Sequence, residues 1–153
     1  MNLVKLFFSF RGRANRAGFW LVSVTWFVVC AVLYYAWTAS GASEVPLGEN
    51  PVVDAALILA AVPLIASGFA IGVTRLHDRN KGAWWVLLFY FCPPIIETIA
   101  SIHDLDLALV VVLMILSWGI SIWAFVELGF LRGTSGPNRY GPDPLDDAAK
   151  LST

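Results

Sequence analysis

The sequence predicts an all-α, polytopic membrane protein with four transmembrane helices plus a short amphipathic N-terminal interfacial helix. Three observations predict it. Four apolar runs each approach the ~20 residues needed to cross a ~30 Å hydrocarbon core. The chain is 58% hydrophobic, 14% charged and has a mean hydropathy of +0.72. That is more apolar side chain than a soluble domain of 153 residues can hide. Finally, all ten Lys and Arg residues fall where a four-span topology puts them on one side.

Residues 1–16 read as the interfacial helix, with Leu3, Phe7 and Phe10 on one face and Asn2, Lys5, Ser9 and Arg13 on another. The first span, about 17–38, carries no charge. It is as long as a full crossing and lacks a small-residue cleavage site, so the N-terminus does not read as a cleaved signal peptide. The second span, about 52–73, has Asp54 at its start. The third, about 83–102, is interrupted by Pro93-Pro94 and carries Glu97. Proline removes a ladder hydrogen bond, so a kink is expected there. The fourth, about 107–131, holds Glu127 near its end. Residues 1–145 therefore read as one membrane domain and 146–153 as a tail.

Charge sets the orientation. Lys5, Arg11, Arg13 and Arg16 precede the first span, Arg75, Arg79 and Lys81 separate the second from the third, and Arg132, Arg139 and Lys150 follow the fourth. The two remaining loops carry Glu44, Glu49, Asp104 and Asp106 and no cation. Lys and Arg in short loops stay on the cytoplasmic side, so both termini are expected in the cytoplasm.

The densest polar segment is Thr74 to Trp85, read as a cytoplasmic loop. Its cations serve as topology anchors, with Trp84 and Trp85 as an aromatic belt, or as part of a site for an anionic group, since guanidinium matches phosphate geometry. His77 beside Asp78 invites a catalytic or metal reading. Neighbours on a helix diverge by about 100°, however, and no second His or Cys stands near to complete a metal shell. Asp78 paired to an Arg, with His77 hydrogen-bonded, is the structural alternative. The serines within spans are isolated from any plausible base, and no Gly-rich phosphate loop of Walker type is present. No catalytic residue, metal or cofactor is expected, and a net charge of -1 gives no footprint for nucleic acid. Cys30 and Cys92 lie within apolar runs and read as buried thiols. Gly68 and Gly72 form a small-xxx-small pattern that serves packing within the bundle or a homo-oligomer contact.

Three segments together resemble a known family. They are Phe10-Arg11-Gly12-Arg13 running to Arg16 and Phe19-Trp20; Arg75-Leu76-His77-Asp78 through Gly82 to Trp84-Trp85; and Gly133 with Gly136-Pro137-Asn138-Arg139-Tyr140-Gly141 and Asp143-Pro144. In this order they resemble domain-of-unknown-function family 805, the YhaH-like bacterial inner-membrane proteins, over about residues 3 to 145. Where the family pattern has Ser-Gly before the Trp pair, this chain has Lys81-Gly82-Ala83. The resemblance implies a small polytopic protein of the bacterial cytoplasmic membrane and no particular activity.

The first functional expectation is a non-enzymatic membrane protein whose cytoplasmic motifs converge on anionic lipid headgroups or a partner protein. Arg11, Arg13, Arg16, Arg75 and Arg139 supply charge, Asp78 and Asn138 orient them, and His77, Trp84 and Tyr140 complete the cluster. Two other readings stand beside it. One is a small oligomeric transporter or channel resting on Glu97. The other is a lipid-phosphate-modifying enzyme using His77 and Asp78.

Overall fold

A computed structural model describes residues 3–41, 49–101 and 105–146. Among them there are helices and one isolated bridge, Asn138 to Gly141, and no strand. The loop residues Glu44, His103 and Asp104 and the tail with Lys150 lie outside the described residues.

Helix α1 covers only Leu3–Phe8, shorter than expected. The chain leaves the helix at Ser9, whose hydroxyl bonds the backbone of Arg11, and Gly12 follows at φ 88°. The inward residues are Leu6 and half-buried Phe7, whose ring meets Trp26 at 5.9 Å; Leu3 and Phe10 are exposed. Helix α2 is Arg16–Ala39, opened by Asn15, whose side chain accepts from the Gly18 amide at 2.8 Å. Helix α3 is Pro51–Asp78, capped by Asn50 with proline at its first position.

Helix α3 runs past the expected end of the second span and takes in Thr74 to Asp78, so half of the expected loop is buried helix. It stops in a Schellman motif. The Asn80 amide donates to His77 O at 3.0 Å and the Lys81 amide to Leu76 O at 2.8 Å, with Asn80 left-handed at φ 57°. Asparagine is the side chain other than glycine that most readily takes this conformation.

The third apolar segment, Leu87–Ala100, is helical but short. A π-helical turn, Leu87–Phe91, leads into α4, Cys92–Ala100. Pro93 and Pro94 have no N–H, so the carbonyls one turn earlier lose their α-helical partners and the backbone widens ahead of them. Helix α5 is Leu107–Phe125 and ends in a second π-helical turn, Val126–Phe130. Among the described residues, three helices are long and apolar enough to cross a membrane: Arg16–Ala39, Pro51–Asp78 and Leu107–Phe130.

The α4 segment lies antiparallel to α5. Trp85 and Phe89 meet Trp123 at 5.5 and 5.3 Å, and Ser117 donates to Glu97 Oε1 at 2.7 Å. Helices α2 and α3 are tied by Trp26 Nε1 donating to Ser67 Oγ at 2.7 Å. Cys30 is exposed on α2 instead of buried, and both cysteines are free. The buried core gathers at one end of the bundle, where Leu6, Ala14, Val22 and Ile71 form one cluster and Val73, Leu76, Val86, Phe89, Ala124 and Leu128 another. The other ends of α2, α3 and α5 expose mainly apolar side chains.

Gly72 is occupied within the chain. A Cβ there would stand 2.5 Å from Tyr90 Oη, which itself donates to Gly68 O at 3.2 Å. Gly68 by contrast faces open space. Gly72→Ala should therefore lower unfolding free energy by about 1–3 kcal/mol, the usual range for overpacking, with Gly68→Ala close to neutral. Unfolding in detergent micelles measures both. Tyr90→Phe, which removes the hydroxyl, should recover part of the Gly72→Ala loss.

Candidate functional site

The last helix ends at the buried end of the bundle with its final carbonyls unpaired inside the helix, as every helix does. Donors from the other helices reach them in sequence. Arg75 Nε donates to Leu128 O at 2.7 Å, Trp20 Nε1 to Gly129 O at 3.0 Å and Arg16 Nη1 to Phe130 O at 3.1 Å. Arg75 Nη2 takes Leu131 O and Arg79 Nη1 takes Arg132 O. Cations also suit this end of a helix dipole. Five consecutive carbonyls are thus capped by side chains from α2 and from the end of α3.

Asp78 stands behind this ladder, with Arg75 Nη1 on its Oδ2 and Arg13 on its Oδ1 at 3.0 Å. The side chains of Arg13 and Arg75 are 1% and 0% exposed. Arg13 continues to the carbonyls of Thr134, Gly136 and Gly141, the latter two at 2.6 and 3.4 Å. Buried charge is tolerated only when paired and fully hydrogen-bonded, and both guanidinium groups meet that condition. Gly133 explains itself here, because any Cβ at that position would overlap the Asp78 carboxylate.

The carbonyls closing α3 are met the same way. Thr74 O accepts the Ala14 amide at 3.0 Å. Asp78 O accepts the Thr134 amide at 2.8 Å and its hydroxyl at 3.0 Å, and His77 O accepts Asn138 Nδ2 at 2.9 Å. His77 Nδ1 lies 3.2 Å from Gly12 O, and its ring stacks on Tyr140 at 3.8 Å. Arg139 lies 4.7 Å over that Tyr140 ring and donates to Asn80 O at 3.0 Å. Asp143 closes the loop by accepting the Leu145 and Gly136 amides, both at 3.0 Å. The Leu145 amide above all, with Gly136 and the nearby Arg13 and Arg132, holds its carboxyl below the usual range against the opposing effect of burial.

The three motifs therefore meet. Arg13, Arg75, His77, Asp78, Asn138 and Tyr140 form one connected cluster, joined at its edges by Arg16 and Arg139. Arg11 and Trp84 stay outside: Arg11 is exposed with only its backbone bonded, and Trp84 stacks on Trp85 at 4.6 Å at the surface. His77 and Asp78 diverge into separate contacts, so they do not converge on a common substrate position.

Sequence reasoning overlooked Glu127, buried and bridged to Arg79 at 2.9 Å and Lys81 at 3.0 Å, with Lys81 also 4.5 Å over Trp85. A carboxylate in the last turn of an apolar helix, with Arg79 and Lys81 in the other polar segment on the same side, was the available signal. Thr134 was also missed, since its role depends on a long-range turn. No group of three or more His, Cys, Asp or Glu suited to a metal occurs among the described residues.

Asp78→Asn should leave two buried guanidinium groups facing a neutral partner and lower stability by about 3–5 kcal/mol, as for other broken buried pairs. Arg75→Lys should also be destabilising, because a point-like ammonium cannot reach three acceptors at fixed angles. Melting of the purified variants in micelles tests both; losses below about 1 kcal/mol, the range of exposed pairs, would show that the clasp does not hold the cap.

No solved structure matches the chain. Inner membrane protein YhaH of Escherichia coli is 28% identical over 94% of this chain and 93% of its own length. Uncharacterized protein YiiR of the same organism is 29% identical, covering 95% and 92%. Inner membrane protein YhaI is 27% identical, covering 94% and 92%. The model of the family described as a protein of unknown function, DUF805, matches residues 7–142, from the N-terminal segment through the last motif of the clasp, and the chain belongs to that family.

Proposed function

We propose that this chain is a four-span, non-enzymatic protein of the bacterial cytoplasmic membrane, with both termini cytoplasmic and a cap that engages anionic lipid headgroups. Connectivity supports the four crossings. Helix α3 ends at the clasp, α5 ends there too, and α5 begins at its far end. Between them, Leu87–Ala100 runs antiparallel beside α5 for roughly 20 Å at 1.5 Å per residue. The distribution of cations supports the orientation.

The observation that carries the lipid reading is a division of labour among the arginines. Arg13 and Arg75 spend their donors inside the chain, whereas Arg11, Arg16, Arg132 and Arg139 are exposed around the same cap. Each exposed cation near an anionic leaflet contributes about 1 kcal/mol, and salt screens it. The role first given to Arg13 and Arg75 thereby passes to this rim.

A second reading, a small oligomeric transporter, draws on Glu97. Its partner Ser117 lies roughly 15 Å along α5 from Leu107 at 1.5 Å per residue, near mid-helix, while Glu97 itself is exposed on the outside of the bundle. Open space at Gly68 leaves room for a second copy. Ion flux in proteoliposomes that is abolished by Glu97→Gln would favour this reading over the first.

For the rim, nanodiscs containing phosphatidylglycerol should raise the melting temperature relative to pure phosphatidylcholine. The increment should shrink in high salt and in the quadruple variant R11Q/R16Q/R132Q/R139Q. An equal increment in wild type and variant would sink the reading.

A further inference from the structure

We propose that the cap holds one phospholipid phosphate in a defined cleft between the start of α2 and the loop after α5, an inference that rests on the lipid reading above. The cleft has a volume of about 260 Å³ and is lined by Arg16, Ala17, Arg132, Thr134, Asp143 and Leu145, among others. Four features point to a phosphate ester.

The first is donors. The Asn15 side chain takes the Gly18 amide and the Asn15 carbonyl takes the Phe19 amide. The amides of Arg16 and Ala17, first and second in the helix, have no acceptor within it, and both residues line the cleft. Backbone donors at a helix start favour an anion. The second is free guanidinium capacity. Arg16 commits one nitrogen to Phe130 O, and the Arg132 side chain makes no hydrogen bond among the described residues. Both are exposed, one on each wall.

The third is charge balance. Asp78 and Asp143 also line the cleft, but Asp78 is held by Arg13 and Arg75, and both Asp143 oxygens accept backbone amides. Four guanidinium groups on or directly behind the wall outnumber the two carboxylates, which leaves the cleft positive. The fourth is depth. Arg16 opens α2 and Arg132 follows the last turn of the α5 segment, so the cleft lies where two apolar helices meet the polar cap. Directly beside it, Trp20 packs edge-on against Phe125 at 5.8 Å and Phe130 at 5.7 Å, and both Phe rings are half exposed. A phosphate in the cleft would have its glycerol and acyl chains against that aromatic wall. Free phosphate would gain nothing from the wall, so the geometry favours the lipid as the source.

Native mass spectrometry of the full chain in non-ionic detergent tests this, with phosphatidylglycerol and phosphatidylcholine as probes. Wild type should show one saturable phosphatidylglycerol adduct. Arg132→Gln should reduce its affinity roughly tenfold or more, the worth of a lost charge-assisted contact, while melting like wild type. R11Q/R139Q, which removes rim charge outside the cleft, should weaken the adduct clearly less than Arg132→Gln does. Equal loss in both variants would overturn the cleft and leave the rim reading standing. No preference for phosphatidylglycerol over phosphatidylcholine would overturn both. Inorganic phosphate binding as tightly as the lipid, with the same dependence on Arg132, would overturn the lipid as its source. Because Arg16 also caps the helix end, Arg132→Gln is the decisive variant.

Discussion

Everything at the polar end of this protein depends on one constraint, that a helix leaving an apolar core exposes carbonyls that must find donors. The end of the α5 segment and the two residues after it present five in a row, from Leu128 to Arg132, and α3 presents several more. Side chains of the same protein supply the donors, from Arg75, Trp20, Arg16 and Arg79. Arg75 spans two of the five carbonyls and pairs with Asp78, which is why it can be fully buried beside apolar neighbours such as Leu76 and Leu128. A lysine or a glutamine has too few donors at fixed angles for that task. Once Arg75 is fixed, Asp78 is fixed, and Asp78 in turn requires Arg13 on one side and a glycine at 133 on the other.

The consequence is that three segments far apart in sequence are mutually dependent. The N-terminal segment is held by Arg13, Ala14 and Gly12, the C-terminal loop by Thr134, Asn138 and Asp143, and both are held to the last turn of α3. The cap is therefore a consequence of helix termination more than a separate domain. It also sorts the arginines into two populations by geometry alone. Those with satisfied donors build the cap, and those at its edge are available to what lies outside.

Much of this was legible in sequence. Apolar run length and the placement of cations indicated an all-helical membrane protein, and the three motifs pointed to the residues that cluster. What sequence could not separate was an arginine that binds outward from one that binds inward. Arg13 and Arg16 differ by three positions and look alike as letters; their roles differ because one meets the carbonyls of residues 134, 136 and 141, contacts with no local signature. The shortened α1 was obscured by the apolar pattern of Leu3, Phe7 and Phe10, which continues past the point where Ser9 and Gly12 end the helix. Within span three, the π-helical turn ahead of Pro93 and Pro94 was invisible to hydropathy, which counts apolar residues and ignores the backbone donors that prolines lack.

The same physics relates the clasp to the membrane surface. The buried pairs that fasten the cap fix its backbone, and with it the places from which the exposed charges project. Arg16 and Arg132 exemplify this, since each is anchored by a neighbour of the clasp: Arg16 through Phe130 O, and the Arg132 backbone through Arg79. Preorganised donors lose less entropy when an anion arrives than donors on a mobile tail would. In the proposed reading the buried arginines act on the surface through position, by keeping Arg16 and Arg132 at the two sides of the cleft.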